Sequence, residues 1–513
     1  MTVEVAEVVN DPAGGRARLP EPVVATADGR VRGRVVDGVA VFLGIPYAAP
    51  PFGANRFRAP AAPAPWDGVR DARRYGPTVP KSSYPAPYDV LLADPPIPGE
   101  DCLSLNVWTP DPGGLGLPVM VWIHGGTFLA GSGALGVYDG AAFARDGVVC
   151  VTVNYRLGVE GFAELPGAPS NRGLLDQVAA LGWVQRNIAA FGGDPDRVTV
   201  FGESAGAVSV TTLLAADRGL FRRAIAQSGA GNVAHDPADA RLVARELAAR
   251  LGVEPTAEAF AALDPAAILG AQASVAAQVA ALPDPGRWGQ STAAAAMAFM
   301  PVLDGELVLR RPQEEIAAGA GAGVELLVGY TSEEFRPFLV ATGRAGLITP
   351  EVVGMVLSWV GMDPALAGAY QAGRVGAAPA EVLAAVLTDG FFRIPANRVA
   401  EGHAAAPTWM YEFAWPTPER GMGACHALEL GFVFDNLHSP DVAALVGPNP
   451  PQPLAVAMHR AWVEFATRGD PGWERFTPAT RRVKVFDGAD NLVVADPRGQ
   501  ERQLWRESEA GSP

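Results

Sequence analysis

The group best placed to do covalent chemistry in this chain is Ser204, which sits between Gly202 and Gly206 in the segment FGGDPDRVTVFGESAG, Phe191 to Gly206. A serine hydroxyl is a weak nucleophile until a base takes its proton. It must therefore stand clear of its own backbone, open to both base and substrate. Glycines on either side allow such a turn, because without Cβ atoms a strand and a helix can close on the serine from both sides. In a chain this rich in glycine a GxSxG pattern arises by chance in about one sequence of five, so the flanking elements must carry the argument. Val198 to Phe201 reads as a buried strand running into the serine. Upstream, Leu174 to Ala190 has helical apolar spacing and ends at Gly-Gly-Asp-Pro; downstream, Ala205 to Leu214 continues as a helix.

An acyl transfer at Ser204 needs three more parts: oxyanion donors, an acid and a base. His124, Gly125, Gly126 and Thr127 follow a strand at Val119 to Ile123. Glycines there let backbone N–H groups approach a ligand, and with the N–H of Ala205 they can hold an oxyanion; the competing reading is a plain tight turn. Glu333 and Glu334 follow a strand at Glu325 to Gly329 and are candidates for the acid. They fit a helix N-terminus equally well, and the residues alone do not separate them. Of the six histidines, the order Ser, acid, His removes His124 and His235. His403 and His459 fall in helical segments and read as surface or packing residues. His426, in the loop after a strand at Thr408 to Phe413, is favoured as the base over its rival His438.

These residues need a scaffold that gathers loops at one end of a sheet. Val23 to Thr26, Val31 to Val36 and Val39 to Leu43 are short β-rich runs separated by Asp-Gly pairs, which predicts antiparallel N-terminal strands. From Leu105 onward, strand-like runs alternate with helical segments: Leu105 to Trp108, Val119 to Ile123, Val148 to Val153, Val198 to Phe201, Ala224 to Gln227, Glu325 to Gly329 and Thr408 to Phe413. That alternation predicts an α/β fold with a central, mostly parallel, twisted sheet flanked by helices. Asp236 to Pro301 is Ala-rich and helical, an insertion expected to lie over the active site. Residues 1–20 are expected to form a loose tail and residues 21–513 a single domain.

At 49% apolar and 19% charged residues the composition is that of a core-rich globular protein, and the net charge of −15 argues against nucleic acid or anionic membrane as a partner. Lys81 and Lys484 are the only lysines, and the arginines are scattered. Three cysteines, Cys102, Cys150 and Cys425, are too few for a disulfide scaffold, and the N-terminus has no basic and apolar signal pattern; both favour a cytoplasmic protein. A monomer is the default expectation.

From about Val23 to the C-terminal region the chain resembles the type-B carboxylesterase and cholinesterase-like family of α/β hydrolases. The resemblance is carried by FLGIPYA at Phe42, Arg56 and Phe57 with Pro60 and Trp66, EDCLSLNVWTP at Glu100, WIHGG at Trp122 and NYRLG at Asn154. NRGLLDQ at Asn171, the segment around Ser204, HALEL at His426 and WVEFATRGDP at Trp462 complete it. It implies the α/β-hydrolase fold and a catalytic triad of Ser204, Glu334 and His426, choosing Glu334 over Glu333. It also implies an oxyanion hole of Gly126, Thr127 and Ala205 supported by Gly125, and makes Glu203 a buried carboxylate tuning the site. Two structural ion pairs are implied, Arg56 with Glu100 and Arg156 with Asp176.

The chain departs from the family pattern at Ser104, where an aromatic or Thr is usual, and at Thr127, where Gly or Ala is commoner. The disulfide that secreted relatives make from the cysteine of EDCL has no earlier partner here. The resemblance implies serine-dependent hydrolysis of a small-molecule carboxylic ester through an acyl-enzyme, with no metal or organic cofactor. A carbamate or amide hydrolase on the same triad is the nearest alternative, and a non-catalytic binding module a distant one. Phe128, Phe335, Phe338 and Phe432 are expected either to line an apolar pocket or to belong to the core.

Overall fold

The computed structural model describes residues 21–510 apart from residues 85, 342 and 344, so the tail expected over residues 1–20 lies outside the described residues. The chain opens with β1 (Val23–Ala25), β2 (Arg30–Arg32), β3 (Arg34–Val36), β4 (Val39–Pro46) and β5 (Val69–Asp71). The single run expected at Val31 to Val36 is split between two sheets. β2 joins β1 and β5 in a small sheet, while β3 pairs with β4. The break falls at Gly33, where any Cβ would stand 2.6 Å from the carbonyl oxygen of Val41.

The main sheet continues through β6 (Ser104–Thr109), β7 (Leu117–Ile123), β8 (Val149–Val153), β9 (Gly193–Glu203) and β10 (Arg223–Gln227). It is completed by β11 (Glu325–Thr331), β12 (Thr408–Phe413), β13 (Arg482–Phe486) and β14 (Val493–Ala495). Its order is β14-β13-β12-β11-β10-β9-β7-β8-β6-β4-β3. Pairing is parallel from β8 across to β13 and antiparallel at both edges. Every strand expected from sequence is present; β13 and β14 extend the sheet beyond them.

Side chains of the central strands alternate between two apolar cores, one on each face of the sheet. Val119, Val121 and Ile123 of β7 enter one core with Val198 and Val200 of β9. Met120 and Trp122 enter the other with Phe201. Burial on both faces is why these strands read as continuous apolar runs.

After β7 the chain moves to β8 on one side and then crosses to β9 on the other. The strand order therefore reverses between β7 and β9, and at such a reversal the loops beyond the carboxyl ends of the strands diverge and leave a crevice. The segment over Asp236 to Pro301 is helical as expected, with Pro237–Leu251 and Pro265–Ala281 its longest helices. A second helical region, Pro350–Trp359, Ala365–Gly373, Pro379–Thr388 and Ile394–Gly402, builds a separate apolar cluster against Phe335 and Phe391.

Candidate active site

β9 ends at Glu203, and the helix Ala205–Ala216 begins one residue after Ser204. Ser204 makes the turn at φ +57°, ψ −123°, outside the broadly allowed regions for an L-residue. Two close packings impose that turn. Gly202 pairs with Ile123 of β7, and a Cβ on Gly202 would stand 2.7 Å from the Ile123 carbonyl oxygen, while one on Gly206 would collide with the same oxygen. The Ser204 N–H donates to the Gln227 carbonyl at 2.9 Å, fixing the elbow to β10.

The loop after β7 comes up beside the serine. A Cβ on Gly125 would stand 3.0 Å from Ser204 Cβ and 2.9 Å from Glu203 Oε2, so only glycine allows this approach. Gly126, Thr127 and Phe128 follow with φ of +111°, +53° and +57°. Among the described residues the N–H groups of Gly126, Thr127 and Ala205 have no hydrogen-bond acceptor, which leaves three donors free for a ligand. His124 is fully buried, stacks on Tyr155 at 4.5 Å, and its Nδ1 lies 2.8 Å from the Gly125 carbonyl. Burial pushes its pKa down to about 4, so the neutral ring donates from Nδ1 and braces the loop.

The structure brings Glu334 and His426 together: His426 Nδ1 lies 2.6 Å from Glu334 Oε2, and Glu334 Oε1 accepts the Thr331 N–H at 2.8 Å. The neighbouring Glu333 turns the other way. His426 Nε2 faces Glu203 Oε1 at 3.1 Å without the angles of a hydrogen bond, and among the described residues Ser204 Oγ has no hydrogen-bond partner. Glu429, three residues past His426 in HALEL, is also fully buried, and its Oε1 accepts from Gln227 Nε2 at 3.3 Å.

Three buried carboxylates therefore surround one imidazole. Burial alone lowers the proton affinity of His426, but Glu203, Glu334 and Glu429 outweigh it and push its pKa up to about 9. Burial pushes Glu203 up to about 7, with Glu334 adding to the shift and His426 opposing it. It pushes Glu429 up to about 8, helped by Glu203 and Glu334. The protons belong to the cluster rather than to any one residue.

The remaining histidines have other roles. His403 and His459 are buried and hydrogen-bonded, His403 to Thr408 and Gly321, His459 to the Val433 carbonyl. His438 is exposed. Of the four expected pocket phenylalanines, Phe128 packs against Phe162 at 4.6 Å and Phe432 against Phe413 at 5.1 Å, both fully buried in the core. Phe335 and Phe338 are half-buried; the Phe338 ring lies 6.2 Å from that of His426, and Phe335 packs on Phe338 at 5.4 Å. Sequence analysis missed Phe392, whose ring lies 5.0 Å from His426, and Tyr88, whose hydroxyl donates to the His426 carbonyl at 2.7 Å. Both come from segments that carry no local motif. Glu429 was visible inside HALEL, where a charged residue three positions after the histidine was the available signal.

One expected ion pair is corrected. Arg56 does not reach Glu100, which is exposed; its Nε and Nη2 donate to Glu160 Oε1 at 2.9 and 2.6 Å, and its Nη1 to the carbonyls of Ala261 and Leu263. A buried guanidinium must be matched by a carboxylate that is buried with it, and Glu160 is. The second pair forms as expected: Arg156 donates to Asp176 from Nε, Nη2 and its own backbone N–H. Cys102, Cys150 and Cys425 are free and buried, and burial raises the pKa of all three thiols. Among the described residues no cluster of three or more His, Cys, Asp or Glu side chains is arranged to hold a metal ion, and no helix is long and apolar enough to cross a membrane.

Residues 20–354 and 362–493 match the model of the Carboxylesterase family. The chain is 37% identical over 503 residues to para-nitrobenzyl esterase of Bacillus subtilis (strain 168), covering 94% of this chain and 98% of that one. It is also 37% identical over 499 residues to phenmedipham hydrolase of Pseudarthrobacter oxydans, covering 93% and 96%. Its fold matches that of a Geobacillus stearothermophilus carboxylesterase solved at pH 6.2, with a TM-score of 0.82 and 38% identity over 94% of this chain and 99% of that one.

Proposed function

Because this chain belongs to the carboxylesterase family, has the α/β-hydrolase fold and hydrolyses carboxylic esters, we propose that Ser204 is its nucleophile, His426 its general base and Glu334 the orienting acid. The observation that carries the reading is the 2.6 Å contact of Glu334 with His426 Nδ1, beside a serine on a glycine-built elbow. Ser204 Oγ attacks the ester carbonyl while His426 Nε2 accepts its proton. The N–H groups of Gly126, Thr127 and Ala205 receive the oxyanion, with Gly125 giving the loop its approach. His426 then protonates the leaving alcohol. Water, activated by the same nitrogen, attacks the acyl-enzyme, and the acid leaves as Ser204 regains its proton. Before the first step the imidazole must exchange its 3.1 Å contact with Glu203 for Ser204 Oγ, a tightening that substrate binding often brings. Replacement of Ser204 by Ala tests the assignment: undiminished turnover of a short-chain p-nitrophenyl ester would sink it.

A second reading, attack of the same serine on carbamate or amide carbonyls, draws support from the relative that is a phenmedipham hydrolase. Assay of this protein on phenmedipham against a matched ester decides which carbonyl it prefers.

We also infer a cytoplasmic enzyme with one catalytic domain over residues 21–513. The free, buried cysteines support the first and the single sheet running from β3 to β14 the second. Recovery of the protein from a secreted fraction, or limited proteolysis into two stable cores, would overturn these.

A further inference from the structure

Glu333, the carboxylate beside the triad acid, takes part in none of these steps, yet it joins the two loops that must meet through both its backbone and its side chain. Its backbone N–H donates to the Ala424 carbonyl at 2.9 Å, and its Oε2 accepts the Ala424 N–H at 2.9 Å, so one residue satisfies both main-chain groups of another. Ala424 is fully buried and stands two residues before His426. Gly423, at φ +65°, makes the approach possible, since a Cβ there would collide with the Glu333 carboxylate. Arg336 closes the other side: Nε donates to the Gly421 carbonyl at 2.6 Å and Nη1 lies 3.4 Å from Glu333 Oε1.

Consecutive residues thus do different work. Glu334 turns inward to the imidazole, and Glu333 turns along the base loop and grips its backbone. Without that grip, the stretch between Gly421, which Arg336 holds by its carbonyl, and His426 would lose its tie at Ala424, and the Glu334 contact would have to hold that stretch as well as orient the ring.

We propose that Glu333 is a positioning residue, a clamp whose reach to the Ala424 N–H sets the register of the base loop against the acid loop. The proposal rests on the assignment of Glu334 and His426 as acid and base. It makes reach, not charge, the property that matters, because a neutral carbonyl oxygen accepts the Ala424 N–H as a carboxylate oxygen does.

The test compares Glu333→Ala, Glu333→Gln and Glu333→Asp with the unaltered enzyme on p-nitrophenyl acetate, with competent sites counted by titration with diethyl p-nitrophenyl phosphate. Small misplacements of catalytic groups cost up to about 100-fold. Glu333→Ala should therefore lose about 10- to 100-fold in kcat per titrated site, with KM within about threefold. Glu334 raises the proton affinity of His426, so a loosened contact should also move the acid limb of the pH profile to lower pH. Glu333→Gln keeps the reach and should restore most of the activity. Glu333→Asp keeps the charge but is one methylene short, and should be impaired; this pair carries the test if the alanine variant does not fold. A purely structural residue would change the number of titratable sites without moving kcat per site or the acid limb, and that result overturns the clamp. So does an active Asp variant beside an impaired Gln variant. Normal turnover in Ser204→Ala or His426→Ala would instead sink the triad, which keeps the two failures apart.

Discussion

Glu203 Oε1 lies 3.1 Å from His426 Nε2, the nitrogen that accepts the proton of Ser204 in the proposed mechanism. The residue next to the proposed nucleophile is therefore the competitor for its proposed base. An ionised Glu203 favours the imidazolium, which stabilises the charge that develops during acyl transfer but also holds the resting ring in its spent, protonated form. Burial offsets part of this by pushing the Glu203 carboxyl up, which weakens its hold on the imidazolium.

The pH dependence of activity follows. The base works only when neutral, and the carboxylates around His426 raise its pKa above the ordinary value, toward about 9. Activity should therefore fall as pH drops, with a kcat/KM acid limb above pH 6.5 that belongs to the coupled cluster. Glu203→Gln removes one of the groups that raise His426, so its acid limb should move to lower pH. A limb that stays fixed or moves upward in this variant would show that Glu203 does not act on the base.

Ser204→Ala should abolish ester hydrolysis, by roughly 10³-fold or more, with the protein still folded by circular dichroism. An organophosphate should inactivate the unaltered enzyme stoichiometrically and map by mass spectrometry to the peptide holding Ser204. Labelling at another serine would refute the elbow.

Ser204 was legible because an elbow needs small residues at fixed offsets, and that requirement is local. The choice between Glu333 and Glu334 was not local: both leave the same strand end, and which one meets the base depends on the loop that holds Ala424. The partner of Arg56 was misread for a related reason. Glu160 lies on a short helix, Gly158–Phe162, that sequence analysis did not resolve, and only the packed structure brings it to the guanidinium. Phe392 and Tyr88 reach His426 from distant segments, and no residue near either one marks them.

The Arg156 and Asp176 pair gives a stability prediction. Both side chains are buried, and Asp176 accepts three hydrogen bonds from Arg156 alone. Breaking a buried pair by removing one partner leaves an uncompensated charge and costs about 3–5 kcal/mol. Asp176→Ala should therefore show a markedly lower apparent melting temperature in scans at matched rates. A melting curve that superimposes on that of the unaltered protein would mean the guanidinium finds other acceptors.

Thr127 offers a separation of backbone from side chain in the oxyanion loop. A β-branched residue at φ +53° is strained by about 1–2 kcal/mol, and its hydroxyl is occupied by a bond to the Gly126 carbonyl at 2.8 Å. What the proposed mechanism uses is the N–H, which is unpaired among the described residues and survives in any substitution other than proline. Thr127→Gly takes the same φ freely and should keep kcat within about tenfold of the unaltered enzyme, whereas losing one oxyanion donor costs about 10²- to 10³-fold. An aliphatic trifluoromethyl ketone, which forms a tetrahedral adduct with an oxyanion, should bind at least about 100-fold more tightly than the matched ester, and the glycine variant should keep that preference. If Thr127→Gly instead loses more than about 100-fold in kcat and the ketone binds no better than the ester, the threonine side chain, through its bond to Gly126, is what aims the donors.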